Sequence, residues 1–285
     1  MYLTDEHVIE TLGKTRIVIR GGSIAEIGEP KIRRCPLARR FSRPVHTLEP
    51  DVIRESVEAR IQEMGMCTEQ RELLSSRDFV TFGASELICT GLRTGLLDAG
   101  VIACDGAGTV IATSPELVQG IGGRMSGLIR TSPIEEVIRN IAMNGGRVCF
   151  PETATIDQGK GLLIAHDMGY RRVAVTVTAP ETAEGIRRVD DNALIIGVHL
   201  TGLSEDEAVR LLEAADIVSA CASRWIRAHA GRYAMVQAGA SIPVFALTER
   251  GKELIMARLK EVSGPLFVKT SALPVGGEES PEPLV

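Results

Sequence analysis

Cys221 and His199 are the side chains that their neighbours best prepare for chemistry. Cys221, in Cys221-Ala222-Ser223-Arg224, follows the apolar run 216–219 and opens a segment that carries Ser223, Trp225 and Ile226. Amides and the dipole at a helix N-terminus favour the thiolate, the reactive form of cysteine. His199, in His199-Leu200-Thr201-Gly202, closes the apolar run 193–199, where an imidazole serves as base or ligand near neutral pH. Glu86, in Gly83-Ala84-Ser85-Glu86, follows the run 78–82 and completes a candidate catalytic set of Cys221, His199 and Glu86. An inert buried thiol and a hydrogen-bonded structural ring account for Cys221 and His199 equally well. His7, His46, His166 and His229 read as surface or helix-face residues.

Metal or iron–sulfur binding is the second chemistry these residue types allow. Cysteines stand at 35, 67, 89, 104, 149 and 221, and no pair has C-x-x-C spacing. That removes the strong signal for zinc ribbons, thioredoxin-like redox sites and radical iron–sulfur motifs. A metal site would need dispersed ligands to converge: Cys67, Cys104 and Cys221, with Cys35 from a loop. Asp105 beside Cys104 would raise that thiol's pKa, which suits a ligand better than a nucleophile. Cys89, among Leu87, Ile88 and Leu92, and Cys149, after Val148, read as core.

Anion binding is the third. The glycine-rich segment 105–127 offers Gly106, Gly108, Gly122 and Gly123 for close backbone approach, with Asp105, Thr109 and Arg124 beside them. Ser85, Thr201 and Ser223 add hydroxyls past other apolar runs. The segment matches neither the dinucleotide fingerprint nor a P-loop. Tight turns and close packing explain the same glycines. The run Lys31, Arg33, Arg34, Arg39, Arg40, Arg43 has no acidic residue from 31 to 48 and reads as a solvated loop or a docking patch for an acidic protein or an anionic cofactor, not duplex nucleic acid.

These groups need elements to position them. Residues 15–28 predict a β-hairpin about Gly21-Gly22, and Ile53, Val57, Ile61 and Met64 predict a helix over 50–64 closed by Gly65. Apolar runs at 78–82, 101–104, 172–178, 193–199, 216–219 and 242–247 predict strands buried on both faces. Ser132-Pro133-Ile134-Glu135 and Ser204-Glu205-Asp206-Glu207 predict capped helices between them. Strands alternating with helices imply an α/β fold with a mostly parallel sheet flanked by helices and an N-terminal β-hairpin appendage. Ligands in such folds sit beyond the carboxyl ends of the strands, where Ser85, Glu86, Asp105, Thr109, His199, Thr201, Cys221 and Ser223 fall. The expected organisation is a hairpin and basic loop over 1–49, an α/β domain over 50–270, and a disordered tail over 271–285 without core contacts.

The 285 residues are 44% hydrophobic and 24% charged, ordinary globular composition with room for a sizeable core. A net charge of -5 argues against a dedicated nucleic-acid binder. No apolar stretch is long enough to span a bilayer, and MYLTDEHVIE lacks the form of a secretory signal, so a cytoplasmic protein with no membrane partner is expected.

Several segments together carry a family resemblance. They are Leu12-Gly13-Lys14, Cys35-Pro36-Leu37, Gly65-Met66-Cys67-Thr68, Phe82-Gly83-Ala84-Ser85-Glu86, Cys104-Asp105-Gly106-Ala107-Gly108-Thr109 and Leu117-Val118-Gln119-Gly120-Ile121-Gly122-Gly123. Val198-His199-Leu200-Thr201-Gly202, Cys221-Ala222-Ser223 and Gln237-Ala238-Gly239-Ala240-Ser241-Ile242-Pro243 complete them, over residues 5–260. Together they resemble the methanogenesis marker protein 8 family, uncharacterised proteins of methanogenic archaea. The resemblance implies an association with methanogenesis and carries over no catalytic residue. The preferred expectation is binding of an anionic small molecule or cofactor at the strand ends. An iron–sulfur or metal carrier, and an accessory protein docking on a methanogenesis enzyme, are the alternatives.

Overall fold

Gly21 and Gly22 both take left-handed φ, 54° and 69°, the geometry of a tight two-residue hairpin turn. The computed structural model describes residues 5–41, 43–125 and 127–285. Ser126 of the glycine-rich segment and the side chain of Arg40 in the basic run lie outside what it describes. The glycine turn joins β2 (Thr15–Arg20) to β3 (Ser23–Ile27), as the sequence predicts. The hairpin is more than an appendage. β1 (Glu6–Thr11) pairs antiparallel with β2 on one side and with β6 (Gly127–Arg130) on the other, giving a four-stranded sheet of order β3-β2-β1-β6. Ser132, expected to cap the next helix, is spent on this sheet: its hydroxyl exchanges hydrogen bonds with the Glu6 backbone.

The second sheet comprises β4 (Ala99–Cys104), β5 (Gly108–Ala112), β7 (Arg147–Val148), β8 (Val173–Val177), β9 (Leu194–Gly197), β10 (Ile217–Ser219), β11 (Val236–Ala238) and β12 (Val244–Ala246). Its order is β11-β12-β10-β9-β8-β4-β5-β7. The central strands β10, β9, β8 and β4 are parallel, while β5 and β7 on one flank and β12 and β11 on the other pair antiparallel. The class is α/β, but the sheet is mixed rather than mostly parallel. Connection length decides this: residues 105–107 return β4 straight into β5, and 239–243 return β11 into β12, far too short for parallel crossovers. The stretch read as a glycine-rich ligand loop therefore divides into a hairpin turn, a strand and a helix.

β9 and β10 are parallel and joined by α7 (Glu205–Ala214), whose Ser204–Glu207 capping box is fully formed. The other helices are α1 (Pro50–Met64), closed by left-handed Gly65, α2 (Ala84–Thr94), α3 (Pro115–Gly122), α4 (Glu135–Met143), α5 (Gln158–Asp167), α6 (Pro180–Val189), α8 (Arg224–His229) and α9 (Glu249–Glu261). Alternate residues of the central strands separate two cores. Ile102, Val110 and Ile196 pack with α2, α3, α4 and α9, whereas Val101, Val175, Ile195 and Val218 pack with α5, α6, α7 and α8. A third core of Ile9, Ile17, Ile19, Ile53, Val57, Met66 and Cys67 joins the smaller sheet to α1. Among the described residues, no helix is long and apolar enough to cross a membrane.

Two further expectations fail. Residues 78–82 form no strand, because side chains take the backbone groups a ladder would use. Glu86 accepts the amides of Phe79 and Val80, and Arg258 donates to the Thr81 carbonyl. The chain end also makes core contacts: Leu284 and Val285 pack against the third core, and Glu282 pairs with Arg34 in a short antiparallel bridge. Charge explains the misreading, since the acidic residues that suggest disorder here meet the basic run.

Candidate functional site

His199 leaves the carboxyl end of β9 with a left-handed φ of 58°. Its Nε2 lies 3.0 Å from Glu10 Oε2, at the end of β1. Lys14 Nζ reaches the same carboxylate at 2.8 Å and the His199 carbonyl at 3.5 Å. Lys14 is itself left-handed, at φ 63°. The site is thus built where the strand ends of the larger sheet meet the β1–β2 connection of the smaller one. Burial alone would raise the Glu10 pKa, but hydrogen bonds from His199 and Lys14 outweigh it and hold the carboxyl down to about 2. Burial lowers the His199 pKa, working against its bond to Glu10. A neutral ring that donates through Nε2 keeps an acceptor lone pair on Nδ1. That nitrogen has no partner among the described residues. The arrangement orients an imidazole as a base and keeps an ammonium beside it.

Cys221 lies at the end of β10, half-buried and left-handed at φ 40°. Its Sγ is 3.5 Å from Ser219 Oγ, and Arg227 donates to its carbonyl. Burial pushes the thiol pKa up, against the hydrogen bond from Ser219. The expected thiolate at a helix N-terminus does not arise, because Cys221 precedes the Ser223 cap of the six-residue α8. Thr201 Oγ1 accepts the Ala222 amide and so ties the two strand-end loops together, while Ser223 Oγ accepts the Ile226 amide and caps α8.

Asp105 anchors a separate, closed cluster. It is fully buried and accepts from Arg71 Nε at 2.9 and 3.1 Å and from the Cys67 amide at 2.6 Å. Burial first, then the Asp105 charge, raises the pKa values of both Cys67 and Cys104. Cys104 donates to the Asp105 carbonyl. Gly106 donates its amide to Thr131 Oγ1, which also meets His7 Nδ1 at 2.6 Å. His7 is fully buried here, not a surface residue. Cys67 and Cys104 thus share one neighbourhood, while Cys221 lies toward Cys35 and Lys14. No group of three or more His, Cys, Asp or Glu among the described residues could hold a metal ion.

The remaining candidates serve the scaffold. Glu86, 1% exposed, accepts from Gln119 Nε2 at 2.8 Å besides the two amides above, so its carboxylate is taken up by the scaffold. Thr109 bonds Gln158 and the Asp157 amide. Gly122 packs on Ser85, whose Oγ is 2.5 Å from where a Cβ would stand, and Gly123 packs on Phe79. Arg124 pairs with Glu72 at 2.6 Å and lies over the Phe79 ring, so its charge is engaged. Glu10 and Lys14, the partners of His199, carry no local signal beyond the Leu12-Gly13-Lys14 segment.

The Glu10 shift sets an acid dependence. A carboxyl held below its unfolded pKa adds stability above pH 4.5 and loses it as the pH falls toward 2. His199, held below 6.5, loses stability in the same direction as the unfolded ring takes up its proton first. Urea midpoints should therefore fall from pH 6.5 downward in the wild type, and Glu10→Gln should flatten the part between 4.5 and 2. An equally steep acid limb in the variant would show that the three-membered group does not form.

A family described as "Uncharacterized protein conserved in archaea (DUF2099)" matches residues 7–260. Over 284 residues the chain is 40% identical to an uncharacterized protein of Methanocaldococcus jannaschii, an alignment that covers 99% of this chain and 100% of that one. No solved structure matches the chain.

Proposed function

The chain belongs to this family of uncharacterized proteins conserved in archaea, and within it we propose a methanogenesis-associated protein that binds an anionic small molecule or cofactor at the ends of β9 and β10. One observation carries the reading. Of the five non-glycine residues held left-handed among the described residues, Lys14, His199 and Cys221 gather at this edge. Each such residue costs on the order of 1–2 kcal/mol, and that strain is retained mainly where function needs the side chain so placed. The charges agree with an anionic ligand: Lys14 neutralises Glu10, and Lys31 Nζ stands 3.6 Å from where a Cβ on Gly202 would lie, outside any ion pair among the described residues. Lys31 supplies the attraction, and His199 Nδ1 accepts or returns a proton. The M. jannaschii relative and the resemblance of the segments above to the methanogenesis marker protein 8 family support the methanogenic setting.

Purification without oxygen, followed by mass spectrometry of the released small molecules and metal analysis, tests this. An anionic molecule should co-elute with the wild type and fall about tenfold or more, ~1.4 kcal/mol, in Lys31→Ala and His199→Asn. Circular dichroism should show both variants folded; Asn tolerates the left-handed conformation at 199. The reading fails if the wild type elutes empty and millimolar phosphate leaves the His199 ring resonances unmoved. Stoichiometric iron would favour a cysteine-bound carrier instead.

A further inference from the structure

We propose that residues 279–285 form a displaceable strap that closes this site from the side of the basic loop. The proposal rests on the anion-binding reading above and names how access to that site is controlled.

The strap is anchored at both ends. The Glu282 carbonyl accepts the amides of Arg33 at 2.7 Å and Arg34 at 3.1 Å, and the Glu282 amide donates to the Arg34 carbonyl at 3.0 Å. Side chains add Arg34–Glu282 at 3.3 Å and Arg39–Glu279 at 2.7 Å. Farther along, the Val285 carbonyl accepts the amides of Gly202 at 3.4 Å and Arg224 at 3.0 Å, while the Val285 amide donates to the Ala222 carbonyl at 3.0 Å. Gly202 is three residues beyond His199, and Ala222 follows Cys221. The strap therefore binds the same two loops that deliver the candidate groups, and it passes over the basic run that supplies Lys31. Acidic side chains of the chain itself, Glu279 and Glu282, thus lie against the basic run.

What holds the strap is weak. Both ion pairs are open to water, with side chains 57% and 64% exposed in one and 36% and 55% in the other, so salt screens them. Within the strap only Pro281 is buried; Leu284 and Val285 are half-buried, Glu279 and Glu282 are exposed, and residues 263–280 leading to it are exposed apart from Leu273. Segments with few buried contacts and exposed backbone hydrogen bonds open well below the global unfolding free energy. Opening frees the Gly202 and Arg224 amides together with Arg33, Arg34 and Arg39, all suited to an anion.

Hydrogen exchange on the full chain reads the opening without any ligand. The amides of Arg33, Arg34, Gly202 and Arg224 should exchange about 100-fold or more faster than those of Ile195 and Ile196 in β9, and faster again at ~0.5 M salt. Inorganic phosphate, titrated at low salt against the His199 ring resonances, reads the gate. A chain shortened after Glu278 should bind phosphate about tenfold tighter than the full chain, because its competent state no longer competes with the strap. Glu279→Gln/Glu282→Gln makes the same comparison with the full length kept, and should shift in the same direction. Strap amides as protected as β9 would overturn the strap and leave the site reading intact, as would equal phosphate affinity in all chains. Strap amides that open while no chain binds phosphate would overturn the anion reading, and the gate with it.

Discussion

Asp105→Ala is expected to destabilise the protein by about 3–5 kcal/mol, a large part of the 5–15 kcal/mol that holds a typical domain together. Arg71 and Asp105 are 1% and 0% exposed, and the carboxylate also takes the Cys67 amide. Removing it strands a guanidinium and an amide away from water, which costs far more than the bond itself contributes. Arg71→Met should cost a similar amount by stranding the carboxylate instead. Removing both charges together, as Asp105→Leu with Arg71→Met, should recover much of the loss, because desolvation of the pair disappears with its attraction. Urea unfolding of Asp105→Leu, Arg71→Met and the double variant provides the cycle. Single losses below about 1 kcal/mol would mean that water reaches the pair and that it behaves as a surface ion pair.

Gly108→Ala should be nearly as damaging, at about 2–5 kcal/mol, and it separates two readings of the glycines in 105–127. Gly108 opens β5 with φ at 70°, which an L side chain adopts only with strain. A Cβ there would lie 2.2 Å from the Ala154 carbonyl oxygen, and backbone must move to admit it. The adjoining Thr109 amide donates to the Thr155 carbonyl, so the displaced chain is one that β5 depends on. A glycine kept for close approach of a ligand predicts a folded variant with lost binding. A glycine kept for close approach of residues 154–155 predicts lost stability, and that is the result expected. A variant with an unchanged urea midpoint would restore Gly108 to the candidate site.

The hairpin at Gly21-Gly22, the α1 helix closed by Gly65, the Ser204 capping box and the parallel pair β9–β10 are all legible in the sequence. Each depends on consecutive residues, where periodicity, caps and left-handed glycines act within a turn or two of chain. His199 is recognisable for the same reason, as a polar residue at the end of an apolar run. Its partners are not. Glu10 is 189 residues away, and nothing in the sequence of β1 distinguishes a carboxylate bound for an imidazole from one bound for solvent. Similar local signals misled where tertiary contacts outweighed them. Residues 78–82 are apolar enough for a strand, yet their amides go to Glu86. Ser132 has the form of a cap, yet it secures β1. The acidic end has the composition of a disordered tail until Arg34 and Arg39 lie opposite it. Composition and spacing determine which elements can form. Which side chains meet is decided by burying three cores at once, and that free energy belongs to segments far apart in the chain.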